Sequence, residues 1–359
     1  MLAQSTVDYS QSTLDVLIPF WNSPSADFSF TDGPRVKFRV DTQIYQPVID
    51  TGSCGLIVSA AEFPNWTPEL AGKYPVGVEY LSSSKKLYVG NWIDSDIVFL
   101  QADVAASFPI LVVSTRYICP GYDFASDGPN CTSPTETIDM PANISLLGVG
   151  FGRQFDGQPQ GNPDKNPFLN IVSIDGTPIN AASNFRTGYK ISKEGVTLGL
   201  TANNTAGFNF VGLDKGVTDD LRDWAPVPAG IRVGTAPFVS DDTTALLDTG
   251  IDQMYLTVPY SMPVETHIGT SLSSGANVSV LDDGQVVEVQ YGRPSANAAS
   301  YSFKVGDVDS VETGVAPPQV IVRRSSTKKP FVNTGRHIYR GFEIVFDAAG
   351  GRYGFKATS

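Results

Sequence analysis

The tripeptide Asp-Thr-Gly occurs twice in this chain, as Asp50, Thr51 and Gly52 within "PVIDTGSCGLIVS" and as Asp248, Thr249 and Gly250 within "ALLDTGIDQMYLTVP". In both copies apolar residues lead into the aspartate and more apolar residues follow the glycine, the pattern of a strand, a tight turn and a second strand. A single copy reads as a strand end capped by turn residues. Two copies in matched settings read as an internal duplication. Equivalent turns of a duplicated unit meet at the axis that relates the copies, which would bring Asp50 and Asp248 together. Two carboxyls a few ångströms apart cannot both ionise cheaply, so they hold one proton between them. One can then act as general base on a water while the other acts as general acid. The glycines permit tight turns, and the hydroxyls of Thr51 and Thr249 can hydrogen-bond across the axis.

The surrounding chain supplies the elements for such a pair. Each copy is followed by an apolar segment ending in glycine, "NISLLGVGFG" with Gly148 and "FVNTGRHIYRGFEIVFD" with Gly335. The glycines of "GVGFG" do not read as a dinucleotide loop, because the following "QFDGQPQGNPDKNPF" is loop rather than helix. With 359 residues, 34 Gly and 25 Pro, the sequence predicts a mostly β protein with many turns, in two units spanning 1–202 and 203–359. Runs such as "SDIVFL", "FPILVVS" and "PQVIVRR" have strand length. A short helix is expected in "NPFLNIVSIDG", with Phe168 and Leu169 packed inward.

Composition excludes several function classes. A net charge of −12 argues against nucleic acid, and "RRSSTKK" reads as a solvated loop. No apolar run reaches the length of a membrane span. Metal binding is not expected, since the three cysteines lack ligand spacing and the two histidines, His267 and His337, lie far apart. Cys119 and Cys131 flank the turn-rich "PGYDFASDGPN", so a disulfide closing that loop is expected. This implies an oxidising compartment and leaves Cys54 free. The Asn-x-Ser/Thr sequons at Asn65, Asn130, Asn143, Asn203 and Asn277 fit a secreted glycoprotein, although the opening "MLAQSTVDYSQ" shows no leader. Trp21, Trp66, Trp92 and Trp224 read as core or interface residues.

Taken together, "VIDTGS", "LLGVG", "LLDTG" and the terminal "GRHIYRGFEIVFDAAGGRYGF" resemble, in order and spacing, the pepsin-like aspartic proteases over nearly the whole chain. The resemblance implies a bilobal fold of two pseudo-twofold-related β lobes with a cleft between them. Asp50 and Asp248 would be the catalytic pair. Ser53 would support the outer oxygen of Asp50, and Gly52 and Gly250 would accept substrate contacts. Thr51, Thr249 and Ile251 complete the residues of the two turns expected around the substrate. A flap hairpin is also implied, "GVEYLSSSKKLYVGNW", with Tyr80 as its cleft-facing tyrosine and Tyr88 as the fallback. No metal or cofactor is implied.

The chain also departs from the family pattern. Ile251 replaces the hydroxyl residue of the second turn, Ile57 replaces the tryptophan that anchors the flap tyrosine, and Leu81 replaces the glycine after that tyrosine. Cys54 reads as a packed, unpaired thiol. The reading that follows is a secreted, monomeric, acid-active endopeptidase acting on a peptide or protein extended across the cleft. The alternatives are a pepsin-fold binding or inhibitor-like module, and an isomerase or cyclase using the same carboxyls on a small molecule.

Overall fold

The computed structural model describes residues 7–22, 29–293 and 296–358. Strand dominates these residues, and each α-helix among them is only four or five residues long. The predicted helix near Phe168 is a single 3-10 turn, Pro167–Leu169. Asn166 caps it by accepting from the Phe168 amide at 3.0 Å, and Phe168 and Leu169 are buried. The chain then extends at once into the strand Ile171–Ile174.

The same three-strand arrangement forms around each Asp-Thr-Gly. The strand Val48–Asp50 runs parallel to Ser145–Val149, with Asp50 level with Gly148, and Ser145–Val149 pairs antiparallel with Cys54–Ser59. Likewise Thr244–Leu246 runs parallel to Phe331–Asn333, which pairs antiparallel with Met254–Val258. In both cases the turn after the aspartate sits between two strands that a third strand holds in register. The position of each carboxyl is therefore fixed by sheet hydrogen bonds. Cys54–Ser59 is buried along its length, which explains its continuous apolar run.

The first arrangement belongs to an eleven-stranded sheet and the second to a nine-stranded sheet. A six-stranded sheet draws on both sides of residue 202. Val16–Pro19, Gly195–Leu198 and Tyr189–Ile191 come from one side, and Phe342–Asp347, Arg352–Ala357 and Asn209–Gly212 from the other. The two groups meet where Tyr189 pairs with Phe346, their rings stacked at 4.6 Å. One large apolar cluster runs from Ile18 to Phe355 through residues of all three sheets.

Cys119 and Cys131 are joined in a disulfide, and Cys54 is a buried free thiol. All five sequon asparagines are exposed. Among the described residues no helix is long and apolar enough to cross a membrane.

Candidate active site

Asp50 and Asp248 lie against one another, 7% and 6% exposed. Their closeness explains the glycines that follow them. A β-carbon on Gly52 would stand 2.5 Å from the Asp248 carboxyl atoms, and one on Gly250 would stand 2.4 Å from Asp50 Oδ1. Any side chain at either position would push the carboxyls apart. The two threonines form the base on which the turns rest. The Thr51 amide donates to Thr249 Oγ1 at 3.0 Å and the Thr249 amide donates to Thr51 Oγ1 at 2.9 Å. Thr249 Oγ1 in turn donates to the Ile49 carbonyl at 2.6 Å, and Thr51 Oγ1 donates to the Leu247 carbonyl. Leaving such buried groups unpaired would cost about 1–3 kcal/mol each, so the interlock defines one relative position of the two turns. Thr51 and Thr249 are fully buried beneath the carboxyls; they buttress the pair and do not line a substrate path.

Each carboxyl is then held by two donors. Asp50 accepts from the Gly52 amide on Oδ1 at 2.7 Å and from Ser53 Oγ on Oδ2 at 2.7 Å. Asp248 accepts from the Gly250 amide on Oδ1 at 2.8 Å, and the missing hydroxyl of Ile251 is replaced by Asn333, whose Nδ2 donates to Oδ2 at 2.7 Å. Asn333 is itself locked, since its Oδ1 accepts the Gly335 amide at 3.0 Å. The backbone carbonyl of Ile251 accepts from Arg336, through its amide at 2.9 Å and its Nε at 3.2 Å. The guanidinium of Arg336 therefore stays close enough to feel both Asp248 and Asp50.

Burial, followed by the charge of Asp248, pushes the Asp50 carboxyl up to about 7, against the pull of its Ser53 and Gly52 donors. Below that pH the pair keeps a shared proton, as general acid–base work requires.

The hairpin of Val76–Leu81 and the start of Lys86–Phe99 differs from expectation. Tyr80 turns toward the disulfide loop. Its hydroxyl donates to the Cys119 carbonyl at 3.0 Å, and its ring lies 4.8 Å from that of Tyr122. Alternation along the strand gives the opposite face to Glu79, whose carboxyl feels the charge of Asp50. Tyr88 is directly opposite Glu79 and packs with Ile57, Trp92 and Leu111. The hairpin is tied to a neighbouring loop through Trp92 and Val78. Trp92 Nε1 donates to Gln160 Oε1 at 2.6 Å, and the Val78 amide donates to the same oxygen at 2.9 Å.

Gln160 belongs to the loop after "GVGFG", which the sequence offered only as connecting loop. That loop also sends Gln158 Nε2 to the Gly52 carbonyl at 3.4 Å and receives the Cys54 thiol on the Asn162 carbonyl at 3.3 Å. It ties the first Asp-Thr-Gly turn to the hairpin. Burial pushes the Cys54 thiol well up, so it is packed and inert, as its apolar surroundings suggested. Among the described residues there is no group of three or more His, Cys, Asp or Glu side chains arranged to hold a metal.

Sequence reasoning missed Asn333, Glu79 and Arg336. Signals for the first two were present, as polar residues interrupting the apolar strands "FVN" and "VGVEYL". Comparison with known proteins adds nothing to this assignment: no protein-family model matches the chain, and no curated protein matches it.

Proposed function

We propose that the protein is a secreted aspartic endopeptidase of bilobal pepsin-like architecture, divergent in its flap. The observation that carries this reading is the reciprocal threonine interlock, which sets two carboxyls from duplicated turns side by side with one proton retained to about pH 7. In the reaction, a water between Asp50 and Asp248 attacks the scissile carbonyl carbon and gives its proton to the ionised carboxyl. The shared proton passes to the carbonyl oxygen. The tetrahedral diol then collapses: a carboxyl proton moves to the leaving nitrogen, the C–N bond breaks, and a diol hydroxyl gives its proton to the ionised carboxyl, which restores the pair. Ser53 and Asn333 hold the outer oxygens and so keep the inner ones directed at the water. The disulfide and the exposed sequons support secretion.

A second reading, a small-molecule isomerase or cyclase using the same pair, draws on the Gln158–Gln160 loop, which bonds both the Gly52 carbonyl of the first turn and the hairpin strand. Incubation with denatured protein at about pH 3–6, with and without pepstatin, separates the two, because a pair sharing one proton works in that range. Peptide release blocked by pepstatin is expected. Absence of release from the folded protein would overturn the peptidase reading.

A further inference from the structure

Glu79 is a buried acid that the reaction above does not use. It is 3% exposed, at the centre of the hairpin strand Val76–Leu81, and its Oε1 has no hydrogen-bond partner among the described residues. Val78 and Tyr80 of the same strand pack into the cluster around Cys119, so Glu79 projects from the other face. Its carboxyl lies within electrostatic reach of four groups: Asp50 of the first Asp-Thr-Gly turn, Arg153 of the 3-10 turn Arg153–Asp156, Cys54 of the strand Cys54–Ser59, and Tyr88, which is directly opposite it in the hairpin. A leucine at this position would continue the apolar run without stranding a polar atom. An unsatisfied buried oxygen beside a catalytic pair therefore calls for a partner that arrives from outside.

The chemistry of that partner follows from the protonation state. Burial and the Asp50 charge push the Glu79 carboxyl up to about 8, so at acid pH it is an uncharged acid with one O–H donor and one carbonyl acceptor. A backbone peptide group offers the complement, a carbonyl acceptor and an N–H donor. A cationic side chain would instead require Glu79 to ionise beside Asp50.

We propose that Glu79 is the substrate-contacting residue of the hairpin, hydrogen-bonding as the neutral acid to a backbone amide of the peptide that lies across Asp50 and Asp248. This rests on the peptidase reading. In the absence of substrate the oxygen is left unsatisfied, so it contributes to binding without contributing to stability.

The test compares wild type, Glu79→Gln and Glu79→Leu for kcat/KM on an extended peptide at pH 4.5, for pepstatin affinity and for Tm. Glutamine keeps a donor and an acceptor and should remain within about threefold of wild type, whereas leucine should lose about tenfold or more in both kcat/KM and pepstatin affinity. Tm of Glu79→Leu should equal or exceed that of wild type. Leucine activity and affinity equal to wild type would overturn the proposal. So would loss of function in both variants with a fall in Tm, which would mark a structural role. A wild type that neither cleaves peptides nor binds pepstatin would overturn the peptidase reading, and this proposal with it.

Discussion

Replacing Asn333 by leucine tests whether the second aspartate takes its support from a strand because its own turn lacks a hydroxyl. Asn333 Nδ2 donates to Asp248 Oδ2 at 2.7 Å in a buried setting. A hydrogen bond to a charged acceptor contributes about 1.5–3 kcal/mol, and less when the carboxyl is protonated. If half of that is lost selectively from the ionised form, the first ionisation of the pair moves up by about one pH unit, at 1.36 kcal/mol per unit. The acid limb of kcat/KM should therefore shift upward by about one unit, with about a tenfold loss at pH values below it. The Gly335 amide also loses its acceptor, which should lower stability by about 1 kcal/mol. Ile251 stands three residues after Asp248 as Ser53 stands three after Asp50, where Ser53 Oγ reaches its carboxylate at 2.7 Å. Adding Ile251→Thr to Asn333→Leu should return the acid limb toward wild type without restoring the Gly335 bond. The assay is a pH profile of peptide hydrolysis for wild type, the single variant and the double variant, with thermal unfolding alongside. An unmoved acid limb in Asn333→Leu, or no recovery in the double variant, would refute the assignment of Asn333 as the missing support.

Two further predictions concern titration and the free thiol. Glu79 is raised to about 8 in the folded protein from an ordinary value of 4.5, so the folded state carries no ionisation penalty from it below pH 4.5 and loses stability as pH rises from there through about 8. Denaturant unfolding should therefore show the stability of wild type relative to Glu79→Gln falling by about 3 kcal/mol between pH 5 and 7.5. His337, lowered to about 3 by burial and by the neighbouring Arg340 and Arg336, acts in the opposite direction, but it is common to both proteins and cancels in the difference. A difference that stays flat with pH would show that Glu79 is not held protonated. Cys54 should resist alkylation in the native protein, and Cys54→Ala should keep its activity within about threefold, because the thiol contributes only one weak bond to the Asn162 carbonyl. Rapid modification accompanied by inactivation would reverse that reading.

What the sequence revealed depended on repetition. The two Asp-Thr-Gly copies and the later glycines Gly148 and Gly335 carry apolar flanks that state the three-strand arrangement directly, because each turn needs the same small residue for the same close approach. Asn333 was hidden because a hydrogen bond between residues 85 apart leaves no local pattern once the expected hydroxyl is absent at Ile251. The placement of Tyr80 against the disulfide loop was hidden for a different reason. Neighbouring residues of a strand face opposite ways, so a shift of one residue in how the hairpin sits reverses which side chain takes which face. Here the disulfide loop captures the Tyr80 hydroxyl and ring and fixes that choice. Gln158 and Gln160 lay in a stretch whose Pro, Gly and Asn content indicated loop but not what the loop touches. Composition likewise suggested two units but not the six-stranded sheet that takes strands from both.

The central claim is that Asp50 and Asp248 act as one proton-sharing pair that hydrolyses peptide bonds. Its most direct test is the rate of cleavage of a denatured protein at pH 4 by wild type, Asp50→Asn and Asp248→Asn, with circular dichroism to establish that each variant is folded. The account predicts cleavage by wild type and loss by about a thousandfold or more in each folded variant, since an amide at either position can neither take the proton from water nor share one. Hydrolysis retained by either folded variant would contradict it.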